Sequence, residues 1–149
     1  MSSYVNKELR DLVASRANHV CEYCLIHEED TFFLCHVDHI ISIKHGGQSS
    51  ENNLAYACAV CNRKKGSDVG SILLPSRKFV RFYNPRIDLW IDHFKLEDHK
   101  IVSLTDIGEV TVKIFEFNNE DRLIERQALI SVGRYPSSAA LKVMKSGIK

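Results

Sequence analysis

The sequence lacks a long apolar run, an internal repeat and a low-complexity tract. No stretch of its 149 residues approaches the ~20 apolar residues of a membrane-spanning helix. The polar start MSSYVNKELRDL also lacks the apolar centre of a signal peptide. We therefore expect a cytoplasmic protein without a membrane partner.

An excess of one charge is also lacking, since the formal net charge is only +1. The charge is nevertheless uneven: residues 1–60 hold four Lys and Arg against eight Asp and Glu, whereas residues 61–90 hold seven against two. A local basic excess of this kind is typical of a solvated face or of a surface that meets a phosphate backbone. The basic residues concerned are Arg63, Lys64, Lys65, Arg77, Lys78, Arg81 and Arg86.

The length and the composition predict one domain of mixed α+β class. Residues 1–149 suffice to bury a single core, and 44% hydrophobic residues argue against disorder. Ser3 can cap a first helix, whereas the β-branched and aromatic residues 31–43 and the segment LAYAC predict strands. A short helix is expected from Asn62. In the second half, EDHK predicts a hairpin turn, and helices are expected after Thr105 and after Asn119.

Four of the five cysteines form two matched pairs with two residues between them. Such spacing lets a tight knuckle direct both thiolates at one ion, and two knuckles complete the tetrahedral sulfur shell of a structural Zn²⁺. A redox motif would explain only one pair at a time, and a reducing compartment disfavours disulfides. We expect a closed zinc site with a scaffold role, formed by Cys21, Cys24, Cys58 and Cys61.

The segment between the two knuckles contains CHVDHIISIKHGG, in which Asp38 and His39 interrupt an apolar, strand-like run. A strand that only fills a core has no use for a carboxylate beside an imidazole. Binding of one zinc ion by both knuckles would bring Asn62, which follows Cys61, close to this strand. The sequence therefore predicts that the three polar residues belong to one site.

These residues resemble the HNH nucleases. The resemblance is carried by VDHIISIKHGGQSSENNLAYACAVCNRKKG: a D-H-I motif, a glycine-containing loop, an Asn before an apolar strand, and C-x-x-C followed by Asn and basic residues. It implies a core of two strands and a helix around a metal over residues 15–70, with structural zinc. An N-terminal helix and a strand and helix extension over residues 75–149 would flank that core, and the tail from about residue 136 is expected to be loosely ordered.

The resemblance also implies the roles of individual residues. His39 would activate water as the general base, and Asp38 with Asn62 would hold the catalytic metal. Their hard oxygen ligands suit Mg²⁺ or Mn²⁺, whereas His at position 62 would widen the choice to softer ions. Asn53 would orient the loop and the catalytic histidine by hydrogen bonds. The basic residues expected to bind nucleic acid at the start of the helix are Arg63, Lys64 and Lys65.

Two functions are therefore open at this point. One is a metal-dependent endonuclease that hydrolyses phosphodiester bonds in DNA, most simply double-stranded, as a monomer or a homodimer. The other is a zinc-stabilised nucleic-acid-binding module without catalytic activity. Geometry raises one difficulty, because adjacent residues of a regular strand face opposite sides. A bend at Asp38 would allow Asp38 and His39 to address one phosphate.

Overall fold

The computed structural model describes residues 4–146 and confirms the mixed α+β class. Three antiparallel hairpins of two strands each alternate with helices along these residues. The elements in chain order are α1 Lys7–Arg16, β1 His36–His39, β2 Leu54–Ala57, α2 Ala59–Lys65, β3 Gly70–Leu73, β4 Lys78–Arg81, α3 Trp90–His93, β5 Phe94–Glu97, β6 Lys100–Ser103, α4 Asp106–Phe115, α5 Glu120–Ser131 and α6 Ser138–Ser146.

Strands β1 and β2 with helix α2 form the unit that the resemblance implies. The two strands pair antiparallel from His36 opposite Ala57 to His39 opposite Leu54. The strand expected over residues 31–43 is therefore only four residues long. The reason is that β2 lies between the 3₁₀ turn that ends at Asn53 and the cap of α2 at Cys58, so β1 has a partner over only four positions.

Helix α2 begins at Ala59 rather than at Asn62 as expected. Its cap is Cys58, whose Sγ lies 3.4 Å from the backbone N–H of Cys61. Thiolate sulfur thus takes the place of the usual capping oxygen. Helix α1 is capped by Asn6, whose Oδ1 accepts a hydrogen bond from the N–H of Leu9 at 2.8 Å. The expected cap Ser3 lies outside the described residues.

The helices and the turn expected in the second half are confirmed. Thr105 caps α4, and its Oγ1 accepts from the N–H of Gly108 at 3.1 Å. Asn119 caps α5 through the N–H of Arg122 at 3.3 Å. The EDHK turn joins β5 to β6, with Asp98 in the left-handed region at φ 56°.

Apolar side chains from both halves of the chain share one buried cluster. Tyr23, which lies within the first knuckle, packs on Phe115 of α4 with ring centroids 4.9 Å apart. The buried indole of Trp90 donates to the carbonyl of Tyr23 at 2.9 Å. Contacts of this kind bury the knuckles beneath residues from the second half.

The expectation of a loosely ordered tail from about residue 136 is wrong for the residues up to 146. Residues 138–146 form helix α6, which buries Ala140 and Val143 in the shared cluster. A composition rich in Ser, Ala and Lys is typical of a linker, but small alanines also let a helix approach a packed surface closely.

Candidate active site

The four paired cysteines lie together in the interior. Their four Sγ atoms all lie within 4.8 Å of one another, and all four residues are buried. The sulfurs of Cys24 and Cys58 are 3.7 Å apart. Zn–S bonds of about 2.3 Å in a regular tetrahedron place sulfurs about 3.8 Å apart. The cluster therefore fits a structural zinc ion bound by Cys21, Cys24, Cys58 and Cys61.

Two residues of the second half contact this cluster, and sequence reasoning missed both. Arg122 of α5 donates from Nη2 to Cys24 Sγ at 3.0 Å, and Nη1 lies 3.8 Å from Cys58 Sγ. The Tyr135 hydroxyl donates to the carbonyl of Cys24 at 2.8 Å. Burial lowers the pKa of Arg122, but the negative charge of the thiolates outweighs burial and raises it overall. No local signal could have revealed Arg122, because it lies 64 residues beyond Cys58.

Asp38 is buried and faces helix α2. Its Oδ2 lies 3.2 Å from Nζ of Lys65, and the exposed fractions of the two side chains are 10% and 2%. Lys65 Nζ also donates to the carbonyl of His39 at 2.8 Å. Burial raises the pKa of Asp38, although the charge of Lys65 opposes this shift. Lys65 therefore holds β1 against α2, and the expectation that it contacts nucleic acid does not fit its burial.

His39, the last residue of β1, is half-buried and contacts the following loop. Its Nε2 lies 2.8 Å from Oγ of Ser49. The chain bends at Ile40 and Ile41, directly after the histidine, rather than at Asp38 as expected. Asp38 thus packs towards α2, whereas His39 contacts the loop that leads to β2. The difference follows from the alternation of side chains along a strand.

Asn53 holds the loop that follows His39. Its Oδ1 accepts from the N–H of Ile41, and its Nδ2 donates to the carbonyls of Ile41 and Gln48, all at 2.9 Å. Gly47 is required here, because a Cβ at this position would lie 1.6 Å from the Ile41 carbonyl oxygen. Asn53 therefore fixes the path of the backbone on both sides of the loop.

The basic residues of α2 differ in their surroundings. Asn62 is the fourth residue of the helix, so Arg63, Lys64 and Lys65 form its last turn. The expectation that they lie at the start of the helix is therefore wrong, and the carbonyl end at which they lie disfavours anions. Arg63 is exposed, whereas Lys64 is half-buried and its Nζ lies 2.9 Å from a carboxylate oxygen of Glu116.

The remaining basic residues of the segment 61–90 are divided between the interior and the surface. Arg86 is buried in an ion pair with Glu22. Arg81 makes two hydrogen bonds to the carboxylate of Asp88, at 2.8 and 3.0 Å. Arg77 and Lys78 are exposed at the turn between β3 and β4. Part of the local basic excess is thus structural, and part faces solvent.

Comparison with known proteins gives one match. Residues 21–68 match the model of a family described as HNH endonuclease, a range that includes both knuckles, β1, β2 and α2. No curated protein and no solved structure matches the chain. Residues 21–68 are therefore an HNH endonuclease domain with a buried four-cysteine cluster, as the resemblance predicted.

Membership of this domain in the HNH family implies a nuclease, and hence nucleic acid as its partner. Within residues 4–146, none of the helices combines the length and the apolar character needed to cross a bilayer.

Proposed function

We propose that the protein is a metal-dependent endonuclease that hydrolyses phosphodiester bonds in double-stranded DNA. The observation that carries this proposal is the placement of Asp38, His39 and Asn62 on the β1, β2 and α2 unit of the HNH domain. Helix α2, which has Asn62 as its fourth residue, packs against both strands.

The catalytic metal would be bound by Asp38 and Asn62. Among the described residues, the buried Oδ2 of Asp38 has no hydrogen bond, and its contact is the ion pair with Lys65. One carboxylate and one amide oxygen fit Mg²⁺ or Mn²⁺, which take their remaining ligands from water and substrate phosphate. When bound, such an ion supplies positive charge to the phosphoryl oxygens and to the departing 3′ oxygen.

His39 accepts the proton of the attacking water in this proposal. Because Ser49 engages Nε2 at 2.8 Å, we assign proton transfer to Nδ1. The Ser49 contact holds the ring, and the hydrogen bonds of Asn53 hold the loop that carries Ser49. Arg63 and Lys64 add positive charge for the DNA backbone at the end of α2.

The ion pair between Asp38 and Lys65 favours a second candidate. A carboxylate that is already neutralised by a buried ammonium needs no metal, which fits a zinc-stabilised nucleic-acid-binding module without catalysis. The two functions share the zinc scaffold and the nucleic-acid partner. They differ in whether His39 accepts a proton from the attacking water.

A plasmid-nicking assay with Mg²⁺ distinguishes the two functions. We expect the natural protein to relax supercoiled plasmid and His39→Ala to lose this activity. His45→Ala is the matched control, because His45 is an exposed histidine of the same loop. Each variant is checked for zinc content, so that loss of the scaffold is not mistaken for loss of the base. Equal cleavage by the natural protein and His39→Ala would contradict the assignment of His39.

A further inference from the structure

The hairpin of β3 and β4 presents an apolar and basic surface to solvent. Residues 70–81, GSILLPSRKFVR, contain three basic residues and no acidic one. Ile72 and Phe79 are paired across the strands and are 41% and 57% exposed. Their neighbour Val80 points the other way and is buried, and the hairpin packs on α4. One face of the hairpin thus supports the fold, and the other is open.

The ring of Phe79 lies over Gly70 on the open face. A Cβ at Gly70 would lie 2.6 Å from Cζ of this ring and 2.4 Å from the carbonyl oxygen of Val80. The ring therefore lies across the place where any other residue would have a side chain. An aromatic side chain has only two torsions, so it loses little conformational freedom when a flat ligand packs on it.

The open face continues towards the proposed catalytic site. A cavity of about 150 Å³ is lined by Ile41, Lys65, Phe79 and Arg81, among other residues. Ile41 follows His39 by two residues, and Lys65 contacts both Asp38 and the His39 carbonyl. The hairpin therefore borders the same cavity as the residues next to the proposed base.

The exposed charges at the hairpin turn are available to a ligand. Arg77 lies in the turn with φ 64°, and its neighbour Lys78 contacts Asp106 at 3.4 Å. The side chains of Lys78 and Asp106 are 64% and 57% exposed, and such a pair is weak and exchanges readily. Arg81 differs, because two hydrogen bonds hold it on Asp88.

We propose that this hairpin is a second nucleic-acid contact, which binds the DNA strand beside the scissile phosphate. Arg77 and Lys78 contact phosphates, and Phe79 with Ile72 packs on a sugar or an exposed base. A hairpin with two exposed cations at its turn, an exposed aromatic ring and no acidic residue of its own fits a ligand of alternating phosphates and flat bases. Asp106, which contacts Lys78, is in an exposed pair that a phosphate can replace. The identity of that strand as substrate rests on the proposed function.

DNA-binding measurements test the hairpin without relying on cleavage. The test uses full-length, zinc-loaded His39→Ala protein and a fluorescent 30-base-pair duplex with a single-stranded overhang, so that the probe offers both phosphates and unstacked bases. Anisotropy is recorded at several salt concentrations. Adding Arg77→Ala and Lys78→Ala should weaken binding and reduce the slope of log K against log salt by about 1.8, because each phosphate contact contributes about 0.9. Phe79→Ala should weaken binding about fivefold or more with an unchanged slope.

Matched variants separate this contact from general effects. Phe79→Tyr keeps the ring and should restore binding, whereas Phe79→Leu keeps only the apolar volume and should not. The control for charge is Lys95→Ala with Lys100→Ala, which removes two exposed lysines from the β5 and β6 hairpin. The control for an exposed apolar residue is Ile124→Ala on α5, which is 58% exposed. Neither control should change affinity by more than twofold.

The proposal is overturned if the His39→Ala parent protein does not bind the duplex, or if adding Arg77→Ala and Lys78→Ala leaves both the affinity and the salt slope unchanged. It is also overturned if the Lys95 and Lys100 control loses as much binding. A plasmid assay with His39 intact is read separately. Absence of cleavage together with hairpin-dependent binding would refute the proposed catalysis and leave the hairpin contact standing.

Discussion

Replacing Arg122 by Met tests whether the second half of the chain stabilises the zinc scaffold. The substitution keeps most of the side-chain volume but removes the cation that donates to Cys24 Sγ at 3.0 Å. Four thiolates around Zn²⁺ carry a net charge of about −2, which Arg122 halves. Removing one partner of a buried charge pair typically costs about 3–5 kcal/mol, because the other charge remains buried and uncompensated.

Unfolding in urea and by heat measures this cost. Trp90 is the only tryptophan, and its buried indole donates to the carbonyl of Tyr23, so its fluorescence reports on the first knuckle. For a protein of this size, 3–5 kcal/mol corresponds to a melting temperature about 6–20 °C lower. Zinc release to a chromogenic chelator should also be faster in Arg122→Met, because the thiolates lose a hydrogen-bond donor.

Two further variants are controls for the effect of Arg122→Met on stability and zinc release. Arg122→Lys keeps the charge without the planar fork and should fall between the natural protein and Arg122→Met. Lys7→Met removes an exposed lysine that pairs with the exposed Asp11, and it should change neither stability nor zinc release. An Arg122→Met protein with natural stability and natural zinc release would refute charge compensation by α5.

Three other predictions concern the elements that surround the proposed site. Gly47→Ala should destabilise the protein by about 1–3 kcal/mol in urea unfolding, because its Cβ would lie 1.6 Å from the Ile41 carbonyl oxygen, and natural stability would contradict the loop geometry. Asn53→Ala removes three hydrogen bonds, worth about 1 kcal/mol each, and should lower the cleavage rate with zinc retained; an unchanged rate would count against its positioning role. Lys65→Met should cost about 3–5 kcal/mol, and combining it with Asp38→Asn should restore part of that loss in a double-mutant cycle, whereas additive losses would mean that the buried pair is not coupled.

Local signals predicted part of the fold correctly. The caps at Thr105 and Asn119 are side chains that hydrogen-bond a backbone N–H three residues later, so a few neighbouring residues determine them. The two cysteine pairs also predict the four-cysteine cluster correctly, because the ligand spacing within each knuckle is local. The formation of these caps and knuckles therefore depends little on contacts with distant residues.

Features that depend on distant partners could not be predicted in the same way. The start of α2 was misplaced because Cys58 caps the helix through its sulfur, which sequence rules assign to oxygen-bearing residues. Lys65 was assigned to the surface because it follows two other basic residues, whereas its place is set by Asp38, 27 positions earlier. The tail was misjudged because the surface that buries Ala140 exists only after folding.

The contacts of Cys24 with Arg122 and Tyr135 have a consequence for how the chain is synthesised. All four cysteines leave the ribosome before Arg122, which follows Cys61 by 61 residues. At about 5–20 residues per second, roughly 3–12 s pass between the synthesis of Cys61 and that of Arg122. During that interval the nascent chain carries the four cysteines without Arg122 and without Tyr135. We expect the thiolates to be most vulnerable to oxidation and to binding of a wrong metal in this interval.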